Sequence, residues 1–279
     1  MAADGRCIRV ERSSEGFATV AFDRPGQTGH RNLARMLVSS LLRTRFPGDI
    51  VVFHNSPRPL FLVAREGVRE VRLANPDESL SDHDFMTFAH SRKYTAAAQI
   101  DPTGYEKVIF IDCDAVVLRG LAGLLRGPWE IAVLSEPGSR IQDGAYGGYL
   151  SPAEHKTMKR RGINSGTWAV SAARFHEFLR RWGKIAKRSP NGVAVFREQA
   201  AFNRVILDWA GPIREWSRDE VALPFCNRWS AGYRAYTGAA IVHAAGANNL
   251  DLKLRFLFSL YAGTYLFDSQ LTLLNIMEM

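Results

Sequence analysis

Hydrophobic residues along the first half of the chain follow two alternating patterns. Short β-prone apolar runs predict strands, and longer segments with apolar residues at helical spacing predict helices. The predicted strands are 17–22, 49–54, 68–73, 107–111 and 129–134, and the predicted helices are 29–45 and 85–100. Strand, helix and strand within about 35 residues form a βαβ unit, whose strands are parallel. The pattern predicts an α/β fold with an open, mainly parallel, Rossmann-like sheet flanked by helices.

The second half of the chain begins with a change of pattern. Residues 135–161 are rich in Gly and Pro and show little periodicity, so we expect a long loop or lid there. The elements predicted after it are strand 167–170, helices 172–187 and 195–209, strand 239–243 and an apolar tail, 250–279. Ligands of open α/β sheets bind beyond the carboxyl ends of the strands, so candidate chemistry is expected at those ends.

Length and composition favour one globular domain. A chain of 279 residues can bury a sizeable core, and we expect a single domain over residues 1–279. No run reaches the roughly 20 apolar residues of a membrane span, and residues 1–17 carry charges where a signal peptide is apolar. Cys7, Cys113 and Cys226 are few and widely spaced, which predicts reduced thiols rather than disulfides or a zinc site. These features favour a cytoplasmic protein.

The net charge of +8 favours anionic partners. Nucleic-acid-binding proteins usually group Lys and Arg along one face with aromatic residues between them. Here the basic residues are scattered, with small clusters at 156–161 and 180–187. We therefore do not expect a nucleic-acid partner, and a phosphorylated small molecule fits the charge equally well.

Asp112, Cys113 and Asp114 directly follow the apolar strand 107–111. Two carboxylates this close repel each other unless a cation or a proton lies between them. Mg²⁺ and Mn²⁺ prefer oxygen ligands at about 2.1 Å and commonly use one or two carboxylates together with substrate phosphates. At a strand end, the pair indicates a metal that holds a diphosphate. The alternative is a solvated turn, because Asp is common after strands.

Residues 106–118 resemble the DxD segment of glycosyltransferase family 8, the group that contains glycogenin and bacterial lipopolysaccharide galactosyl- and glucosyltransferases. The resemblance implies a GT-A fold, in which Asp112 and Asp114 bind Mn²⁺, or Mg²⁺, and the metal binds the donor diphosphate. It also places Cys113 in the donor-binding segment.

Two further segments resemble donor-binding motifs of the same family. Asn164, Ser165 and Gly166 are similar to its Asn-x-Gly segment, which contacts the donor sugar. Glu198 and Gln199 are similar to its acid-Gln step beside the donor sugar, which makes them the candidate catalytic residues. Glu198 stands where the family more often has Asp. The alternative for residues 164–166 is an ordinary Asn/Gly turn, and the alternative for residues 198–199 is a surface helix.

Residues 241–246 resemble the family's His-x-x-Gly element. The resemblance implies that His243 completes the metal site and that Gly246 passes close to the diphosphate. A neutral imidazole is a reasonable ligand for Mn²⁺. The family usually has a Lys three residues after that Gly, and here Asn249 stands there, so Lys253 or Arg255 is expected to replace it.

The other expected donor contacts are inferred only from their positions in the sequence relative to the family's motifs. Lys93 corresponds to a basic residue that the family carries on the helix before the DxD strand, and a surface lysine is the alternative. Ala21 and Phe22 end the first strand, next to residues 23–26, where the family binds the nucleobase.

The resemblance implies a retaining hexosyltransferase with a nucleotide-sugar donor, expected to be a UDP-sugar, and a glycan, lipid-linked or protein acceptor. The catalytic core would span about residues 17–250. Two other functions fit the residues: a nucleotidyltransferase that forms sugar nucleotides, and a non-catalytic nucleotide-sugar-binding protein. Neither the sugar, the acceptor nor the oligomeric state can be inferred from the sequence.

The C-terminal segment 251–279 is predicted to be a helical tail. Aromatic and aliphatic residues dominate it, so a core or docking helix is the simplest interpretation. Peripheral membrane contact with a lipid-linked acceptor is the alternative, aided by the positive net charge.

Overall fold

The computed structural model describes residues 15–24, 26–61, 63–75, 79–191, 196–225, 238–246 and 249–262. Cys7, Cys226 and the tail after Ala262 lie outside the described residues, so the expectations for them stay predictions. The strands are β1 (Glu15–Ala21), β2 (Asp49–His54), β3 (Val68–Arg72), β4 (Lys107–Ile111), β5 (Ala115–Val117), β6 (Ile131–Ser135), β7 (Ile163–Ser171), β8 (Ile213–Glu215), β9 (Val221–Ala222) and β10 (Ile241–His243). The α-helices are α1 (Gly29–Arg43), α2 (Asp82–Thr95), α3 (Ala122–Leu125), α4 (Pro152–Thr157), α5 (Phe175–Ala186), α6 (Arg197–Leu207) and α7 (Leu250–Ala262).

A seven-stranded sheet with the order β3-β2-β1-β4-β7-β6-β8 forms the centre of the fold. Neighbouring strands are parallel except at β7, which is antiparallel to both β4 and β6. The predicted mainly parallel open sheet is confirmed. A second sheet with the order β5-β10-β9 lies beyond the carboxyl end of β4.

The main sheet is buried on both faces. In β4, Val108 and Phe110 belong to one hydrophobic cluster and Ile109 and Ile111 to the other, as the strand's two-residue period requires. All four side chains are inaccessible to solvent. A continuous apolar run in the sequence is the expected result of helices covering both faces of a parallel strand.

The helices divide between these two clusters. One cluster packs α1 and α7 against one face of the sheet, and the other packs α2, α5 and α6 against the opposite face. Trp168 of β7 lies at the centre of the second cluster, stacked on Phe110 with ring centroids 5.1 Å apart. Aromatic pairs of this kind add to the stabilisation that burial provides. Among the described residues, no helix is both long and apolar enough to cross a membrane.

Most predicted boundaries lie within two residues of the observed ones, and two strands, β2 and β4, agree residue for residue. The expected strand at 167–170 is wrong in its start, because β7 begins at Ile163, and Ile163 and Asn164 already pair with β6. The helix predicted at 85–100 starts earlier, where the Ser81 hydroxyl accepts a hydrogen bond from the Asp84 backbone N–H, and it ends at Thr95.

The Gly- and Pro-rich segment 135–161 contains regular structure that we did not predict. Ser151 and Glu154 form a reciprocal capping box at the start of α4, with Pro152 in its first turn. The short strands β5, β8 and β9 were also missed, because two or three residues cannot display a period. Strand β8 forms one edge of the main sheet, and β5 and β9 belong to the second sheet.

Asn203 joins α6 to β7 and is fully buried. Its side-chain oxygen accepts a hydrogen bond from the Ile163 N–H, and its amide donates to the carbonyl oxygens of Ile163 and Gln199, each at 2.8 Å. Both backbone groups of Ile163 therefore depend on one side chain. The contact fixes the middle of α6 against the first residue of β7.

We expect Asn203→Ala to lower the free energy of unfolding by about 2–4 kcal/mol, because it leaves two buried backbone groups unpaired. Asn32→Ala is the matched control on an exposed surface of α1, with an expected change within about 0.5 kcal/mol. Urea unfolding of both variants measures the difference. Equal losses would show that the Asn203 contacts contribute nothing specific.

Candidate metal and donor site

The two carboxylates lie at the junction of the two sheets. Asp112 directly follows β4, and its backbone N–H donates to the Gly166 carbonyl at 2.7 Å. The Asp114 carbonyl accepts from the Ala244 N–H at 2.8 Å, directly after β10. Each acid is therefore held by a different sheet. Cys113 between them is buried, and burial raises the pKa of its thiol well above the usual value, with Asp114 and Asp112 adding to the effect.

His243 completes a group of three metal-ligating side chains. Its Nε2 lies 3.1 Å from Asp114 Oδ1 and 3.9 Å from Asp112 Oδ2. One ligand atom from each residue lies within 4.8 Å of the other two. Ligand atoms about 2.1 Å from one cation are at most about 4.2 Å apart, so a small closure of the group suits Mn²⁺ or Mg²⁺. Two oxygens and one imidazole nitrogen are a donor set that Mn²⁺ accepts.

Gly166 and Thr167 lie beside these three side chains and keep them in position. A Cβ atom on Gly166 would lie 2.3 Å from His243 Cε1 and 2.4 Å from Asp112 Oδ2, so only glycine leaves the ligands in place. The Thr167 hydroxyl lies 3.3 Å from His243 Nδ1. If Nδ1 donates its proton to Thr167, Nε2 keeps a free lone pair toward the carboxylates, the tautomer that a metal ligand needs.

Two lysines neutralise the carboxylates. Lys93 Nζ lies 2.7 Å from Asp112 Oδ2, and Lys253 Nζ lies 2.5 Å from Asp114 Oδ2. Burial disfavours charge on Asp114, but Lys253 and His243 outweigh it and hold the pKa of this carboxyl well below the usual value. Burial likewise opposes the charged form of Lys93, yet Asp112 and Glu198 raise the pKa of its ammonium. Each of the two carboxylates is therefore paired with a largely buried ammonium group.

Glu198 lies in the first turn of α6 and is nearly inaccessible to solvent. Its carboxylate is 3.6 Å from His90 Nδ1 and 3.6 Å from Lys93 Nζ, and it accepts a hydrogen bond from the Ser165 hydroxyl at 3.2 Å. Burial would raise the pKa of this carboxyl, but His90 and Lys93 lower it to about 2. A helix N-terminus adds a favourable dipole for the anion.

A second network orders the first residues of β7. The Asn164 side-chain oxygen accepts from the Gly166 N–H at 2.8 Å, and its amide donates to Glu136 at 3.1 Å. The Gln199 side-chain oxygen accepts from the Ser165 N–H at 3.2 Å. The predicted segment 164–166 and the step 198–199 are therefore directly hydrogen-bonded to each other, as two walls of one site.

These groups line one cavity of about 510 Å³. It brings together most of the predicted site residues, which come from both sheets and from three helices. Those residues are Lys93, Asp112, Asp114, Asn164, Gly166, Glu198, Gln199, His243, Gly246 and Lys253. Gly246 has φ = 87°, a left-handed conformation that favours glycine and bends the chain around the cavity.

Four predicted donor contacts do not line this cavity. The side chains of Ala21, Phe22, Cys113 and Ser165 are buried, and Phe22 packs among aromatic residues of α2. Contacts from these residues to a donor stay predictions. Of the two expected replacements for the lysine absent at Asn249, Lys253 lines the cavity and Arg255 is exposed outside the cavity lining. That Lys253 takes over the role of that lysine stays a prediction.

The structure adds four polar residues to the site, His30, His90, Glu136 and Tyr146. Glu136 directly follows β6, so the strand-end rule that found Asp112 applies to it as well. His90 precedes Lys93 by three positions and shares its face of α2. His30 lies in the first turn of α1, and its Nδ1 donates to the Asp23 carboxylate at 3.1 Å. No motif in the sequence marks the two histidines.

A smaller cavity of about 310 Å³ adjoins the first between α2 and the start of α6. Met86, His90, Phe196 and Glu198 line both cavities. The His90 and Phe196 rings are 5.6 Å apart and form part of the shared wall. Arg197 and Asp82 also line the smaller cavity and carry opposite charges.

Comparison with known proteins identifies the fold. No protein-family model matches the chain, and no curated protein matches it. Among solved structures, it is similar to the apo structure of the WbbM bifunctional glycosyltransferase, with a TM-score of 0.57 and 15% identity over 90% of this chain. The chain spans about half, 51%, of the length of that protein. The similarity confirms the predicted GT-A-like fold class, and the resemblance to glycosyltransferase family 8 stays a prediction.

We expect Lys93→Met to lower the free energy of unfolding by about 3 kcal/mol at neutral pH, because it leaves Asp112 and Glu198 without their shared cation. Lys159→Met is the control, since this exposed lysine has no acidic partner within the described residues. Chemical unfolding of both variants measures the effect.

The loss of unfolding free energy caused by Lys93→Met should depend on pH. The Glu198 carboxyl has a folded pKa of about 2 against a usual 4.5, so its stabilising contribution is complete above about pH 4.5 and is lost as pH falls toward 2. The difference in free energy of unfolding between wild type and Lys93→Met should therefore shrink as the pH falls from about 4.5 toward 2. A gap that is constant with pH would contradict the ion-pair account.

Proposed function

We propose that this chain is a glycosyltransferase that transfers a hexose from a nucleotide-sugar donor, expected to be a UDP-sugar, to an acceptor. We further propose that it depends on Mn²⁺ and retains the anomeric configuration. The observation that carries the proposal is the Asp112, Asp114 and His243 group at the edge of a cavity large enough for a nucleotide sugar. The similarity in fold to a glycosyltransferase supports it.

Asp112, Asp114 and His243 would hold the cation. A divalent cation bound there neutralises the charge that develops on the donor diphosphate as the glycosidic bond breaks. Lys253 and Lys93 supply further positive charge on either side of the ligands. Because both ammonium groups already contact the acids, donor binding requires each lysine to turn from a carboxylate toward a phosphate or a sugar oxygen.

Glu198 and Gln199 are assigned to the sugar side of the cavity. The buried, ionised Glu198 carboxylate would stabilise positive charge that develops on the sugar ring in the transition state. Gln199 is held by Ser165 and can position a sugar hydroxyl, whereas an amide is a poor nucleophile. In a retaining transfer, the new bond forms on the face that the nucleotide leaves.

The smaller cavity is assigned to the acceptor. It opens into the donor cavity at Glu198, so an acceptor hydroxyl there would approach the anomeric carbon. Phe196 and His90 provide ring surfaces, and aromatic faces suit the apolar faces of sugars. Arg197 would favour an acceptor that carries negative charge or many hydroxyl groups.

The test is a screen of UDP-sugars and GDP-sugars for release of the free nucleoside diphosphate, with and without Mn²⁺. We expect release with one donor class, loss of activity in EDTA and recovery on adding Mn²⁺. Gly166→Ala should lower turnover at least about 100-fold, because its Cβ displaces His243 and Asp112. Gly120→Ala, which meets no atom within 4 Å, is the matched control with unchanged turnover.

The outcomes separate the three candidate functions. Release of pyrophosphate from a nucleoside triphosphate and a sugar phosphate would identify a nucleotidyltransferase instead. Metal-dependent stabilisation by a nucleotide sugar without turnover on any acceptor would favour a binding protein. Equal activity of the Gly166→Ala and Gly120→Ala variants would show that the Asp112, Asp114 and His243 group is not needed for catalysis. Proton NMR of the product gives the anomeric configuration.

A further inference from the structure

Two titratable side chains lie where the two cavities meet. Met86, His90, Phe196 and Glu198 line both cavities, and of these four only His90 and Glu198 can gain or lose a proton. His90 lies on α2, and Glu198 lies in the first turn of α6. A substrate that extends from one cavity into the other therefore meets this pair.

The two oxygens of the Glu198 carboxylate contact different partners. Oε1 accepts a hydrogen bond from the Ser165 hydroxyl at 3.2 Å and lies 3.6 Å from Lys93 Nζ. The same ammonium group contacts Asp112 of the candidate metal group. Oε2 lies 3.6 Å from His90 Nδ1. Glu198 therefore connects the metal side of the donor cavity, through Oε1, to His90, through Oε2.

One ring nitrogen of His90 is left for a ligand. When Nδ1 carries the ring proton and faces Glu198, Nε2 has a free lone pair. Within the part of the chain that the structure describes, Nε2 has no hydrogen-bond partner and is not buried, and the side chain is 25% exposed. The Phe196 ring lies 5.6 Å from the His90 ring. The wall between the cavities therefore offers a hydrogen-bond acceptor beside an aromatic surface.

The neighbouring groups are poorer proton acceptors than His90. Burial opposes charge on Lys93, but Asp112 and Glu198 raise the pKa of its ammonium, so it has no lone pair to offer. Burial also opposes charge on Glu198, but His90 and Lys93 lower the pKa of its carboxyl to about 2, which makes it a weak base. His83 lines the smaller cavity but not the donor cavity. Of these groups, only His90 has an available lone pair where donor and acceptor would meet.

We propose that His90 is the base that activates the acceptor, and that the acceptor is a carbohydrate whose attacking hydroxyl donates a hydrogen bond to Nε2. The inference rests on the proposed function. Aromatic rings suit the apolar face of a sugar, and Phe196 supplies one beside His90.

The proposed step is balanced in atoms and charge. As the hydroxyl oxygen bonds to the anomeric carbon, the bond from that carbon to the diphosphate breaks, and its electron pair leaves with the diphosphate. The hydroxyl proton passes to His90 Nε2. The resulting imidazolium is paired with the Glu198 carboxylate until it releases the proton to solvent.

The test measures release of UDP from a UDP-sugar that is stimulated by a panel of methyl glycosides. We expect His90→Ala and His90→Phe each to lower the stimulated rate about 100-fold, because both remove the lone pair at Nε2. Calorimetric titration with UDP and Mn²⁺ should give a Kd within about twofold of wild type for both variants, since the three metal-ligating side chains are unchanged.

Added imidazole distinguishes a base from a positioning residue. It should raise the stimulated rate of His90→Ala at least about tenfold, because the deleted ring leaves space beside the smaller cavity. It should not help His90→Phe, whose ring fills that space. His176→Ala, at an exposed position of α5 that lines neither cavity, is the matched control with the wild-type rate.

The possible failures are distinguishable. A wild-type rate in His90→Phe would overturn the role of His90, and so would a loss in His90→Ala that imidazole leaves unchanged, because His90 would then only position Glu198. Release of UDP by the wild-type chain that no glycoside stimulates would overturn the carbohydrate acceptor. Absence of release from every nucleotide sugar, to water or to a glycoside, would overturn the proposed function itself.

Discussion

The arrangement of the site depends on how one short segment connects two sheets. Asp112 directly follows β4 and Asp114 directly precedes β5, so the two acids belong to different sheets although only one residue separates them. Backbone hydrogen bonds to Gly166 and from Ala244 fix each acid separately. Because Cys113 is buried between them, the segment cannot turn outward without exposing an apolar group. The two carboxylates are therefore held close together and facing one cavity.

This closeness has an electrostatic cost, and the surrounding residues are arranged to offset it. Buried like charges repel strongly in a low-dielectric environment. Lys93 and Lys253 each contact one acid, and Glu198 extends the network to His90. The same cations that balance the acids would attract a diphosphate, and the same acids would bind a metal. A site that alternates anions and cations in this way is suited to a ligand that brings charges of both signs.

The strands and site residues that could be predicted are those that leave a pattern in the sequence. The strand β4 was predicted residue for residue, because burial on both faces demands an unbroken apolar run. Asp112, Asp114 and His243 followed from strand ends and from a resemblance in motif order, and the structure brings them together. The start of β7 was missed because the three residues after Ile163, which are Asn164, Ser165 and Gly166, are polar or small and belong to the site. This conflict between local pattern and function is expected where chemistry is located.

Other parts depend on contacts between distant segments, which no local pattern displays. His30 and His90 reach the cavity only because α1 and α2 pack on opposite faces of the sheet with their ends at its carboxyl edge. Strands β5 and β9 exist because β10 lies between them and pairs with both. Lys253 reaches Asp114 from 139 positions along the chain. Only Glu136, directly after β6, was within reach of the strand-end argument.

The central claim is that Asp112, Asp114 and His243 form one metal site. Crystals grown with Mn²⁺ and UDP and measured at the manganese absorption edge test it most directly. The account predicts one anomalous peak about 2.1 Å from a carboxylate oxygen of each acid and from His243 Nε2, with Lys253 moved away from Asp114. A structure with bound UDP but no peak at these residues, and with both lysines still on the carboxylates, would contradict it.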